Sequence, residues 1–208
     1  MDFLNLEKFL CNFSFLILFV GMVFYWIQLS FDFKNRFIGT TLMSLANFSI
    51  LFLLVLRWKE SGHFPLSNLY ESFLFLSWNF TLLHLILEKM TTENFQKFFG
   101  AITAPTALLI FVFATLSLPE QMQKSSALVP ALQSNWLMMH VTLMILSYAA
   151  LIGGSLLSIA FLVVTFNTEF SYENQEITAN VQPKGTNLQV SLEKRAYLAL
   201  LLDNLRYR

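Results

Sequence analysis

Five apolar stretches, each near or above the ~20 residues that a helix needs to cross about 30 Å of hydrocarbon, dominate this chain and restrict what it can fold into. They run from Phe9 to Leu29, Phe37 to Leu56, Ser72 to Leu87, Phe98 to Leu118 and Trp136 to Phe166. The third is short and the fifth is longer than a crossing requires. Charged residues make up 12% of the chain, where a soluble domain carries roughly a quarter, so there is too little polar surface to coat a particle in water. Aromatics reach 16%, with 23 phenylalanines, which suits lipid-facing surface. The expected fold is all-α: a polytopic transmembrane helix bundle of about five spans, followed by an amphipathic C-terminal helix, with the lipid bilayer as its first partner.

Three regions follow from the composition. Residues 1–166 form the transmembrane bundle, and residues 167–190 are polar and read as an exposed loop. From Ser191, the apolar positions Leu192, Ala196, Ala199, Leu202 and Leu205 recur at helical spacing, so residues 191–208 read as an amphipathic helix. Orientation comes from the lysines and arginines on each side, because positive loops stay on the side of synthesis. The loops after spans one and three, together with the tail, carry nine: Lys34, Arg36, Lys89, Lys97, Lys184, Lys194, Arg195, Arg206 and Arg208. The N-terminus and the other two loops carry four: Lys8, Arg57, Lys59 and Lys124. The N-terminus, residues 57–71 and residues 119–135 are therefore expected on the far side, and the tail on the near side.

Net charge is zero, so no electrostatic argument points to nucleic acid. Glycine-rich phosphate loops, Cys-x-x-Cys, His-Glu-x-x-His and Gly-x-Ser-x-Gly patterns are all missing, which removes support for nucleotide, zinc and serine-hydrolase chemistries. The single cysteine, Cys11, reads as an apolar side chain within span one. Of the three histidines, His63 lies in a far-side loop as a solvated residue. His84 lies within span three, one turn before Glu88, where an ionisable pair in lipid admits a transporter or channel site. His140 follows Trp136 by one helical turn at the far-side mouth of span five, in NWLMMHVTLMILSYAA. That placement suits either an interfacial histidine of the aromatic belt or an imidazole offered to a flat cofactor at the membrane surface, walled by tryptophan and methionine. In FPLSNLYESFLFLSW, Pro65 and Ser67-Asn68 make a turn and helix start, with Glu71 in the first turn, where a carboxylate favours the dipole.

The run FPLSNLYESFLFLSW and the later run PALQSNWLMMHVTLMILSYAALIGGSLLSIAFLV resemble the plastid cytochrome c biogenesis CcsA family, the haem-handling component of system II. The likeness extends from about Leu51 to the end. It implies a multi-pass protein of the chloroplast thylakoid membrane that presents haem (haem b in transit) on the lumenal face for covalent attachment to apocytochrome c, beside a CcsB-like membrane partner with a lumenal domain. It further implies that His140 is a lumenal axial ligand of the haem iron, with Trp136 as part of the haem wall. In the family a tryptophan-rich stretch follows the segment that here ends at Arg208, so a C-terminally truncated member is expected. The alternatives left by the residues are the His84/Glu88 transport site and a non-functional remnant. The topology is testable directly: in a Cys11→Ser background, Ser134→Cys is expected to react with an impermeant maleimide from the far side of the membrane only. Labelling from the near side would overturn the orientation.

Overall fold

In a computed structural model of the chain, residues 3–31, 36–90, 93–123 and 134–180 are described. They form helices α1 (Phe3–Phe31), α2 (Arg36–Ser61), α3 (Leu69–Met90) and α4 (Glu93–Val112). A π turn (Phe113–Ser117), the short α5 (Glu120–Gln123) and the long α6 (Asn135–Asn180) follow. Among the described residues four stretches are long and apolar enough to cross a membrane: Asn5–Phe31, Phe37–Ser61, Phe98–Ser117 and Trp136–Leu162. α3 is the remaining expected span. Its 22 residues extend about 33 Å, enough to cross, but it carries Glu71, Asn79, His84 and Glu88. Those polar groups are all buried among the neighbouring helices.

The first four helices close a ring, with α1 and α3 each packed against both α2 and α4. Leu18, Met43, Ile50, Leu53, Leu74, Phe80 and Phe111 fill its centre. On α4 and the π turn that continues it, Ala104, Ala107, Phe111 and Ala114 recur at spacings of three and four, and the small residues let the neighbouring backbones come close. Burying apolar side chains stabilises little when the outside is also hydrocarbon, so packing and hydrogen bonds must specify the register.

Every interface of the ring carries a polar tie. Ser14 and Ser49 share a hydrogen bond of 2.6 Å between α1 and α2. Asn47 of α2 donates to the Trp78 carbonyl at 3.0 Å and to Thr81 at 2.9 Å on α3. Ser77 of α3 donates to the Ala107 carbonyl of α4 at 3.4 Å. The fourth tie repairs a defect, because Pro105 lies within α4 and has no N–H for the carbonyl four residues back, that of Ala101. The Trp26 indole Nε1 of α1 donates to that same Ala101 oxygen at 3.1 Å.

In the unit that ends at Ala160, α6 buries a single stripe formed by Ile145, Ala149, Gly153 and Ala160. Gly153 lies so close to α3 that a Cβ there would stand 2.9 Å from Leu83 Cδ2. Leu143, Leu146, Leu151 and Ile159 face outward, as lipid-exposed side chains do. The second unit, Phe161–Arg208, is described as far as Asn180 and is helical there. Residues 167–180 of the expected polar loop are therefore helix. They include Glu169, Glu173, Gln175 and Glu176, good helix formers, and the first breakers come later, at Pro183 and Gly185. The remainder of that loop and the expected amphipathic helix over residues 191–208 lie outside the described residues. Replacing Trp26 by Phe keeps the ring and leaves the Ala101 carbonyl unpaired. The expected loss is about 1–3 kcal/mol in detergent unfolding, with helix content unchanged.

Candidate functional site

Polar chemistry concentrates at the two ends of the ring. At the end where α1 leaves the ring and α2 enters it, Tyr25 of α1 lies between two glycines, Gly39 of α2 and Gly100 of α4. A Cβ on Gly39 would stand 3.0 Å from the ring carbon Cζ, and one on Gly100 would collide with the ring outright. Only backbone on both sides lets the phenol reach across to α3. Its hydroxyl meets His84 Nε2 at 3.2 Å and donates to Glu88 Oε1 at 3.3 Å. Thr40 of α2 donates to the same carboxylate oxygen at 2.8 Å. The other imidazole nitrogen, Nδ1, lies 2.6 Å from Thr103 Oγ1 of α4. Thr103 spends its proton on the Phe99 carbonyl at 2.8 Å, so Nδ1 donates to Thr103. Phe99 stacks on the imidazole with centroids 5.3 Å apart. With 1% exposure and both nitrogens engaged, His84 presents no open atom to a ligand.

The opposite end of the ring, where α1 begins, is ionic. Arg57 of α2, 4% exposed, spreads its guanidinium over three other elements. Nε donates to Glu71 Oε1 of α3 at 3.3 Å, Nη1 donates to Glu7 of α1, and Nη2 donates to the Gln123 carbonyl of α5 at 2.5 Å. Its Cζ lies 4.6 Å over the Tyr70 ring, and the Tyr70 hydroxyl meets Cys11 Sγ at 3.3 Å. Glu71 also accepts from the Ser67 backbone N–H and hydroxyl, each at 2.8 Å, through Oε2. The carboxylate expected to favour the helix dipole thus does two further things, fastening the turn before α3 and holding a buried cation. Gln123 closes the circuit. Its side-chain amide donates to the carbonyls of Thr115 at 3.1 Å and Leu118 at 2.8 Å, where the π turn ends.

The residues singled out from the sequence fall in different places. His63 Nδ1 meets the Phe64 carbonyl at 3.2 Å in the turn that contains Gly62, whose φ is +69°. His140 and Trp136 stand on the outward face of the first turns of α6, Trp136 being 82% exposed. Met139 and Leu143 flank them and are exposed as well. Among the described residues no side chain or carbonyl hydrogen-bonds to the His140 imidazole, and no group of three or more His, Cys, Asp or Glu gathers as a metal site. The Arg57 cluster was not foreseen from the sequence, where Arg57 counted only as one positive charge. Its partners are 50, 14 and 66 residues distant in the chain. A basic residue directly after the last apolar residue of a predicted span was the available signal.

Residues 66–202 match the family described as cytochrome C assembly protein. The chain belongs to that family. A protein named cytochrome c biogenesis protein CcsA from Mesostigma viride is 44% identical over 214 residues, which cover all of this chain and 69% of the relative. Proteins of the same name from Marchantia polymorpha and Crocosphaera subtropica are 52% and 49% identical. Those alignments cover 81% and 85% of this chain but 52% of either relative. The chain therefore spans from about half to about seven-tenths of the length of these relatives. No solved structure matches. Family membership assigns this membrane chain to c-type cytochrome biogenesis.

The Tyr25 lock has a direct test. Gly100→Ala places a carbon against the Tyr25 ring and is expected to cost roughly 1–3 kcal/mol in detergent unfolding, while Gly154→Ala, where a Cβ meets nothing within 4 Å, costs far less. Equal effects of the two substitutions would show that the ring is not wedged as described.

Proposed function

We infer that the chain presents haem on the lumenal face of the thylakoid membrane for covalent attachment to apocytochrome c, in company with a CcsB-like membrane partner. In this reading haem b is cargo, His140 is an axial ligand to its iron, and Trp136 lines one wall. The observation that carries the assignment is a contrast between two imidazoles. His84 has both ring nitrogens committed inside the bundle, whereas His140 stands exposed and unbonded among described residues at the head of α6.

The surroundings of His140 fit a porphyrin. Trp136 at i−4 and Leu143 at i+3 share its outward face, and Met139 adjoins it, so an exposed apolar strip flanks a single nitrogen base. A haem lying there keeps its ring against apolar groups and its iron against imidazole, the pairing that haem proteins use. What this chain supplies is position: the imidazole holds the iron at the membrane surface, and Trp136 limits how far the ring can slide along the helix. Haem attachment joins the vinyl groups of the porphyrin to cysteine thiols of an apocytochrome, and a ring held by its iron leaves its edge free for that encounter. Support for the lumenal side comes from the lysine and arginine bias, and for the thylakoid from the resemblance to plastid members of the family.

The test is a haem spectrum of the full-length protein purified from native membranes. His140→Gly is expected to reduce bound haem by roughly tenfold or more, with external imidazole restoring it. His84→Gln is expected to lower thermal stability while leaving haem per folded protein unchanged. An unaltered spectrum in His140→Gly would remove the assignment.

A further inference from the structure

We propose that His84, Tyr25 and Glu88 form a proton-binding site, in which one exchangeable proton is shared between the imidazole and the carboxylate by way of the phenol. The site goes beyond haem presentation and does not depend on it. His84 offers no open atom to a larger ligand, but a proton needs none, only a hydrogen bond along which it can move. The socket walled by Gly39 and Gly100 fixes where the phenol stands.

The directions of the hydrogen bonds count the protons. Thr103 gives its own proton to the Phe99 carbonyl, so Nδ1 of the imidazole carries hydrogen throughout and only Nε2 is open to exchange. The Tyr25 hydroxyl stands 3.2 Å from Nε2 and 3.3 Å from Glu88 Oε1, nearly equidistant from the two. A phenol has one proton to give and a lone pair with which to accept. With neither Nε2 nor Glu88 protonated, that proton faces two acceptors and one contact goes unmade. One added proton satisfies both. On Nε2 it is donated to the phenol, whose own proton goes to Oε1. On Oε1 it is donated to the phenol, whose own proton goes to Nε2.

Exchange between these arrangements is balanced. Nε2–H gives its proton to the phenol oxygen while the phenol O–H gives its proton to Oε1, so Tyr25 is unchanged, the imidazolium becomes imidazole and the carboxylate becomes carboxyl. Thr40 of α2 donates to Oε1 at 2.8 Å in both, because a carboxyl oxygen that bears hydrogen keeps a lone pair. The ion-pair form places Nε2 3.7 Å from Glu88 Oε2, and the neutral form removes both charges. Each form lowers the cost of a carboxylate that is 3% exposed. Phe99 of α4 stacks on the imidazole, and the Tyr25 ring meets it edge-on at 5.6 Å, so donor and acceptor are held in register.

The experiment uses the full chain in lipid nanodiscs without haem, so its failure leaves the haem reading standing. NMR of isotope-labelled imidazole nitrogens reports the occupancy of Nε2, with the His84 signals assigned by their loss in His84→Gln. The infrared C=O stretch of a protonated carboxyl reports Glu88, assigned by its loss in Glu88→Gln. The expected result is one proton in total: across temperature the two occupancies sum to one, and one falls as the other rises. Tyr25→Phe keeps the ring in its glycine socket, removes the oxygen, and is expected to abolish this reciprocal change. Should that variant not fold, the sum in the unsubstituted protein decides. Two empty sites, meaning a single phenol proton divided between two acceptors, overturn the proposal. So does a proton that stays on one group at every temperature, or a reciprocal change that survives in Tyr25→Phe.

Discussion

Arg57 carries a charge that it does not lose, and it lies almost wholly covered among helices whose outer faces are built for lipid. A guanidinium in that setting is tolerable only when it brings its own counter-charges and when each N–H has a place to go. Glu7 and Glu71 supply the charges, the Gln123 carbonyl takes a further N–H, and the Tyr70 face covers the remaining side. Those partners sit on α1, α3 and α5, so satisfying one side chain settles how the N-terminal helix, the start of α3 and the end of α4 meet. The rest of the architecture at this end follows. Ser67 is tied to Glu71, the turn before α3 is fastened by it, and the π turn is closed by the residue that Arg57 holds.

The opposite end solves a similar problem without a fixed cation. There a phenol, an imidazole, a carboxylate and two threonine hydroxyls from all four helices of the ring share hydrogen bonds around His84. Between the ends, the ties at Ser14, Asn47, Ser77 and Trp26 provide one directional contact per interface. Directional contacts have to do this work because the apolar side chains distinguish poorly between a neighbouring helix and a lipid tail. α6 shows what happens where such ties are few. It touches the bundle along one narrow stripe and leaves most of its surface, the His140 face included, outside.

The architecture was legible in the amino-acid order because hydrocarbon permits few alternatives: a run of twenty apolar residues becomes a helix whatever its neighbours are. The start of α3 after Ser67-Asn68 and the membership carried by the two long motifs were legible for local reasons as well. The span three reading was incomplete because hydropathy averages over a helix and cannot tell a polar side chain facing lipid from one facing partners. His84 and Glu88 therefore admitted a transport site in lipid, whereas their partners, Tyr25, Thr40 and Thr103, are 19 to 63 residues away in the chain. Arg57 was overlooked for the same reason. Its significance lies in who surrounds it, and no local pattern in VLRWKES announces Glu7 or Gln123. His140 and Trp136 share one exposed face of α6, as their one-turn spacing, a local property, implied.

The seating of Tyr25 has a consequence for how such a chain is made. Its ring rests in a socket with one wall from Gly39 and the other from Gly100, and these belong to the second and fourth helices to emerge from the ribosome. While only the first hairpin is in the bilayer, the socket has one side and the phenol has neither histidine nor carboxylate to bond. Completion of the pocket waits for α3 and α4 together. The N-terminal pair is thereby kept incomplete, and open to its later neighbours, until more than a hundred residues have been threaded into the membrane.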